Sequence, residues 1–149
     1  MDSRLDSPYQ TRVTNRETPA TLGLRHLALF VARERFAATL RFYREGLGMT
    51  IDWQPDEDNV YLTSGRDNLA LHVADEVRRE LGPLDHHGFM VPDLAALEAW
   101  HVRLSEGAGE WAIEILGHPR LHRDGASSFY LIDPAGNRLQ LLHMPTILT

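Results

Sequence analysis

The sequence repeats itself, and the repeat limits what it can fold into more than any other feature. Leu24-Arg25-His26-Leu27-Ala28-Leu29-Phe30-Val31 opens one half, and Leu84-Asp85-His86-His87-Gly88-Phe89-Met90-Val91 opens a second half sixty positions later. Both stretches read as short apolar strands. A helical pattern follows each: Phe36, Leu40, Tyr43 and Leu47 recur at spacings of 4, 3 and 4, and Leu94, Leu97, His101 and Leu104 at 3, 4 and 3. Glycines stop both patterns, Gly46 and Gly48 in the first half and Gly107 and Gly109 in the second. Three more strands are expected in each half, near 50–54, 60–63 and 69–73, then near 111–116, 128–132 and 138–143. The unit is therefore β-α-β-β-β, written twice. Neither copy can bury its helix-facing surface alone, so the two must pair. The expected fold is α+β, with two paired βαβββ modules forming a curved mixed sheet and helices outside.

At 149 residues the chain has room for one such domain. Residues 1–22, with Pro8, Pro19 and few apolar side chains, read as a flexible N-terminal arm. The domain is expected over 23–144, module 1 at about 23–74 and module 2 at about 84–144, with 75–83 as the connection. Lys and Arg number 15 against 21 Asp and Glu, a net charge of −6 that disfavours nucleic acid as a partner. No apolar run approaches the roughly 18 residues of a membrane span. With no cysteine in the chain, any metal must be held by nitrogen and oxygen. No apolar stretch follows Met1-Asp2-Ser3-Arg4, so a cytoplasmic location is expected.

Alternation along the strands sorts their side chains. Leu27, Leu29 and Val31 share one phase with His87, Phe89 and Val91, which should lie beneath the helices; His26 and His86 then fall together on the concave face. Leu69, Leu71 and Val73 face the helices and leave Ala70 and His72 on the concave side. Leu139 and Leu141 do the same for Arg138, Gln140 and Leu142. A lone strand histidine is more often structural than a ligand. A pair at repeat-equivalent positions, with an amide oxygen beside it, makes a site that suits Fe(II), Mn(II), Co(II), Ni(II) or Zn(II) better than Mg(II) or Ca(II). His101 and His118 read as helix face and loop, and His143 lies near the chain end.

The halves resemble the paired modules of the vicinal oxygen chelate superfamily, which includes glyoxalase I, bleomycin-resistance proteins and extradiol dioxygenases. The resemblance covers about residues 23 to 144. Its most specific part is His122, Phe129-Tyr130, Asp133-Pro134-Ala135-Gly136 and Gln140 in that order, which resembles the extradiol ring-cleavage signature. The resemblance implies metal ligands at His26, His86 and Gln140, an acid/base histidine at His72, and substrate-orienting roles for His122 and Tyr130. Gln140 stands where the extradiol family has a glutamate, so a weaker metal site is expected. Fe(II) or Mn(II) is favoured, with Zn(II), Ni(II) or Co(II) as alternatives and a metal-free protein as a further one.

Three activities follow as expectations. One is an extradiol-dioxygenase-like reaction on a small substrate with vicinal oxygens. Another is a metal-dependent isomerase or lyase on the same scaffold. The third is a metal-free binding protein of bleomycin-resistance type, with Trp53, Tyr61 and Trp111 as stacking surfaces and the −6 charge favouring a cationic ligand. A small-molecule partner and a homodimer belong to the same resemblance.

Overall fold

The computed structural model describes residues 24–76, 84, 86–122 and 125–145; the arm read over 1–22 and most of the connection between the halves lie outside the described residues. The first half runs β1 (His26–Ala32), α1 (Arg33–Arg41), a π turn (Phe42–Gly46), β2 (Thr50–Asp56), β3 (Asn59–Thr63) and β4 (Asn68–Ala74). The second runs β5 (His87–Met90), α2 (Leu94–Glu106), α3 (Ala108–Trp111), β6 (Glu114–Leu121), β7 (Ser127–Ile132) and β8 (Arg138–His143). Each half is a four-stranded mixed sheet, in the orders β1-β4-β3-β2 and β5-β8-β7-β6. The β1–β4 and β5–β8 pairs are parallel and the remaining pairs antiparallel.

The two units are thus as expected, but β1 and β5 are edge strands of separate sheets and do not join the halves into one continuous ladder. The halves are joined by their packed layers instead. One core contains Leu29, Val31, Phe42, Tyr43, Leu62 and Leu71 from the first half and Leu97, Leu104, Trp111, Phe129, Leu139 and Leu141 from the second. Arg103 of α2 donates to the carbonyls of Glu45 and Gly46 at 3.0 and 3.3 Å. Its guanidinium also lies 5.0 Å from the centre of the Trp111 ring. Arg41 bridges to Glu110 at 3.0 Å.

The helix ends differ from the simple reading in both halves. In the first, Leu47 N–H reaches back to Phe42 carbonyl at 3.1 Å, an i→i+5 bond that widens the last turn, and Gly48 then turns the chain out at φ +77°. In the second, Asp93 caps α2 by accepting from Ala96 N–H at 2.7 Å. The chain after Gly107 continues into α3, so Trp111 ends a helix where a strand was expected. The cause is burial: the indole tucks against Gly107 and Gly46 in the core, and β6 begins only at Glu114.

Candidate functional site

The strand parity read from the sequence holds on both sheets. Leu29, Val31, Leu69, Leu71, Leu139 and Leu141 are buried, while His26 and Phe30 are exposed and His72 half-buried on the other face. The cross-strand registers also identify which residues correspond. In module 1, Ala28 pairs with Ala70, Ala70 with Tyr61 and Tyr61 with Trp53; in module 2, Gly88 pairs with Gln140, Gln140 with Tyr130 and Tyr130 with Leu116. Ala70, and not His72, is therefore the counterpart of Gln140.

His26, His86 and Gln140 line a single cavity of about 430 Å³, together with Asn68, Gly88, Met49 and Phe89 among others. The side-chain amide oxygen of Asn68, Oδ1, lies 2.8 Å from His26 Nδ1. That oxygen can only accept, so Nδ1 carries the proton and Nε2 the lone pair. The Gln140 side chain is almost fully buried and spends both its N–H groups, one on Ser128 Oγ at 2.9 Å and one on Tyr130 hydroxyl at 3.0 Å. Its Oε1 is left as the acceptor and lies on the side of Gly88, where an added Cβ would stand 3.7 Å from it. His86 meets the Tyr130 ring edge-on, with centroids 5.4 Å apart.

The other three predicted residues occupy different places. His122 and Tyr130 sit behind Gln140 and do not line the cavity. His122 Nε2 is 2.6 Å from Ser128 Oγ, so both residues orient the glutamine through hydrogen bonds. His72 also stands outside the cavity lining, on the face of the first sheet. Its Nδ1 donates to Asn59 Oδ1 at 2.7 Å. Around it runs an aromatic strip: Tyr61 meets His72 edge-on at 5.6 Å, Trp53 stacks on Tyr61 at 5.1 Å, and Phe30 lies 6.4 Å from His72. Trp53 and Phe30 remain 58% and 68% exposed and are open to a ligand, whereas Trp111 is buried in the core and offers no stacking surface.

One constellation escaped the sequence reading. Tyr43 donates its hydroxyl proton to Asp133 Oδ2 at 2.7 Å and takes a hydrogen bond from His87 Nε2 at 2.8 Å. Asp133 opens the Asp-Pro-Ala-Gly-Asn turn, where it also accepts from Asn137 N–H and side-chain amide at 2.8 and 3.0 Å. Burial first, then the Asp133 carboxylate, hold the Tyr43 phenol well above its ordinary pKa. Burial pushes the His87 imidazole down to about 4, against the pull of Asp133. The Asp-Pro turn signal was visible in the sequence, but not that its carboxylate would face a tyrosine of the other half.

The side chains that His26, His86 and Gln140 bring to the cavity are two imidazoles and one amide, a neutral donor set for any ion held there. Among the described residues no group of three or more His, Asp or Glu side chains is gathered closely enough to hold a metal, so such an ion would have no carboxylate ligand. Two βαβββ modules around a central cavity with paired histidines define a known architectural class. Residues 23–141 match the model of the Glyoxalase/Bleomycin resistance protein/Dioxygenase superfamily, and the chain belongs to that family. None of the curated proteins matches the sequence. Among solved structures, a lactoylglutathione lyase from Agrobacterium tumefaciens aligns at 22% identity and TM-score 0.63, over 83% of this chain and 95% of that one. An integron cassette protein from the mobile metagenome of the Halifax Harbour sewage outfall aligns at 22% identity and TM-score 0.67, over 83% and 100%. A glyoxalase/bleomycin resistance protein/dioxygenase from Alicyclobacillus acidocaldarius aligns at 22% and 0.61, over 83% and 92%. At these identities the likeness establishes the fold. No helix among the described residues is long and apolar enough to cross a membrane.

Proposed function

We propose that this protein is a metal-dependent enzyme that binds a small substrate with vicinal oxygens in the cavity between its modules. The ion would be held by His26, His86 and Gln140. The observation that carries the reading is that these three residues, His26 on β1, His86 just ahead of β5 and Gln140 on β8, line one cavity. When bound, a divalent ion there supplies Lewis-acid polarisation of substrate oxygens and, if it is Fe(II) or Mn(II), the redox capacity for ring cleavage of the extradiol type. The chain's own residues prepare the site. Asn68 Oδ1 fixes the His26 tautomer so that Nε2 carries the lone pair, and Ser128 and Tyr130 hold Gln140 with its Oε1 on the side of Gly88, which lines the cavity. The acid/base role in this reading falls to His72, whose ring is oriented by the Nδ1–H bond to Asn59 Oδ1 and which stands beside the cavity lining on the first sheet. The protein is a cytoplasmic homodimer in this reading.

Anaerobic Fe(II) titration of the full chain and of His86→Ala tests the proposal. Stoichiometric binding that the substitution removes supports it, and oxygen uptake with catechols then separates the dioxygenase from an isomerase or lyase. Equal binding by the two proteins, or none by either, would refute it. A second reading, a metal-free binding protein for planar aromatic ligands, is favoured by the Trp53–Tyr61–His72 strip, whose Trp53 end is exposed; binding of such a ligand unaffected by EDTA is its signature.

A further inference from the structure

A second pair of imidazoles lies away from the cavity, on the outer face of the second half. His101 is on α2 and His118 on β6, and their ring centroids are 5.1 Å apart with planes inclined at 49°. The pair is brought together by backbone geometry. β6 and β7 lose register between Leu116 and Arg120, and Gly117 adopts φ +82° within that break. Irregularities of this kind re-aim a side chain, since they interrupt the alternation of faces along the strand. Here His118 meets a residue of the overlying helix.

His101 is also held in a defined state. Its Nε2 lies 3.0 Å from Gly117 carbonyl oxygen. A carbonyl can only accept, so Nε2 is the protonated nitrogen and Nδ1 carries the lone pair. The Phe129 ring supports the imidazole edge-on at 5.0 Å. A ring nitrogen donating to a backbone carbonyl while the other stays available is the usual arrangement of a metal-binding histidine, because it fixes both tautomer and ring orientation. His118 is exposed and makes no hydrogen bond among the described residues. Two imidazoles sharing one ion at about 2.1 Å per nitrogen have ring centres roughly 5 Å apart, which is the spacing found here.

The geometry assigns His101 and His118 as a two-imidazole binding site for a borderline divalent cation, linking α2 to β6 and distinct from the His26/His86/Gln140 cavity. Water would complete the coordination, since no third His, Asp or Glu joins the pair among the described residues. With nitrogen donors only, the site ranks Cu(II) above Ni(II) and Zn(II), and takes neither Mg(II) nor Ca(II).

The test uses the full chain carrying His86→Ala, so that binding at the central site cannot mask the result. Titration with Cu(II) is followed by calorimetry and by paramagnetic broadening in proton NMR spectra. One equivalent should bind, broaden the signals of Gly117, His118 and the Phe129 ring first, and bind at least tenfold more weakly once His118→Ala is added. His118 is exposed, so that substitution leaves the fold intact, and His101→Gln in the same background should give the same loss. Unchanged affinity in the His118→Ala protein, or broadening confined to residues of the cavity, would overturn the assignment. Neither result bears on the central site, whose own test is the His86→Ala comparison in otherwise unaltered protein.

Discussion

Tyr43 and Asp133 come from different halves of the chain, ninety positions apart, and their side chains share a 2.7 Å hydrogen bond inside the core. The bond joins the π turn that closes the first helix to the Asp-Pro turn ahead of the last strand. It therefore fixes how the modules sit about the cavity. Replacing Tyr43 by Phe keeps the ring and its packing but leaves Asp133 short of a donor and His87 Nε2–H without an acceptor. Both groups are buried, so a loss of about 3 kcal/mol is expected, measured by urea denaturation. A loss under about 0.5 kcal/mol would mean that water replaces the hydroxyl.

His87 makes the same junction sensitive to acid. Its folded pKa of about 4 lies below the ordinary 6.5, so the native state resists taking up a proton that the unfolded chain accepts readily. Stability is then complete above about pH 6.5, falls as the pH drops towards 4, and is lower by about 2 kcal/mol at pH 5 on this account alone. His87→Gln retains an N–H to offer Tyr43 and has no such titration. Comparing urea midpoints of the two proteins at pH 7.5 and pH 5 isolates the term; parallel losses in both would assign the acid sensitivity to other groups.

The repeat was legible in the sequence because the same pattern recurs sixty positions on, and the strand parity and the three cavity residues because they depend on a period of two. His26 and Gln140 lie on strands, and His86 directly ahead of one, whose apolar phase is unambiguous, so their face follows from neighbours one position away. What depends on tertiary contacts was not legible. Trp111 looks like the start of a strand until the gap left by Gly46 and Gly107 is seen, and His101 meets His118 only because Gly117 breaks the register. Strand and phase placed His72 correctly on the open face, but could not show that the cavity ends short of it. The choice between Ala70 and His72 as the counterpart of Gln140 likewise needed the cross-strand pairing.

The packing around Trp111 leaves little room for adjustment. A Cβ at Gly107 would run into the six-membered ring of the indole, and the indole is pinned by Arg103 and by Gly46, where an added Cβ would stand 3.4 Å from it. Gly107→Ala should cost about 1 to 3 kcal/mol through this overlap. If the clash is the cause, the two substitutions of a double-mutant cycle with Trp111→Leu will not add, because the smaller side chain removes the obstacle. Additive losses, read from denaturation midpoints, would place the cost in the backbone at the end of α2.

Gln140 is the residue on which the chemistry of the cavity turns, and its neighbours make it unusually easy to exchange for a carboxylate. Its two donated hydrogen bonds end on hydroxyls, those of Ser128 and Tyr130, and each hydroxyl can reverse its own proton to donate instead. Gln140→Glu therefore preserves volume and every contact while adding a negative charge beside His26 and His86. An ion bound there gains a charged ligand in place of a neutral one, and affinity for Mn(II) or Zn(II) should rise at least tenfold. Gln140→Leu, which removes the oxygen, should weaken binding. Calorimetric titration of the three proteins gives the order Glu, Gln, Leu if the amide oxygen is a ligand, and indistinguishable affinities if the ion is held by the histidines alone.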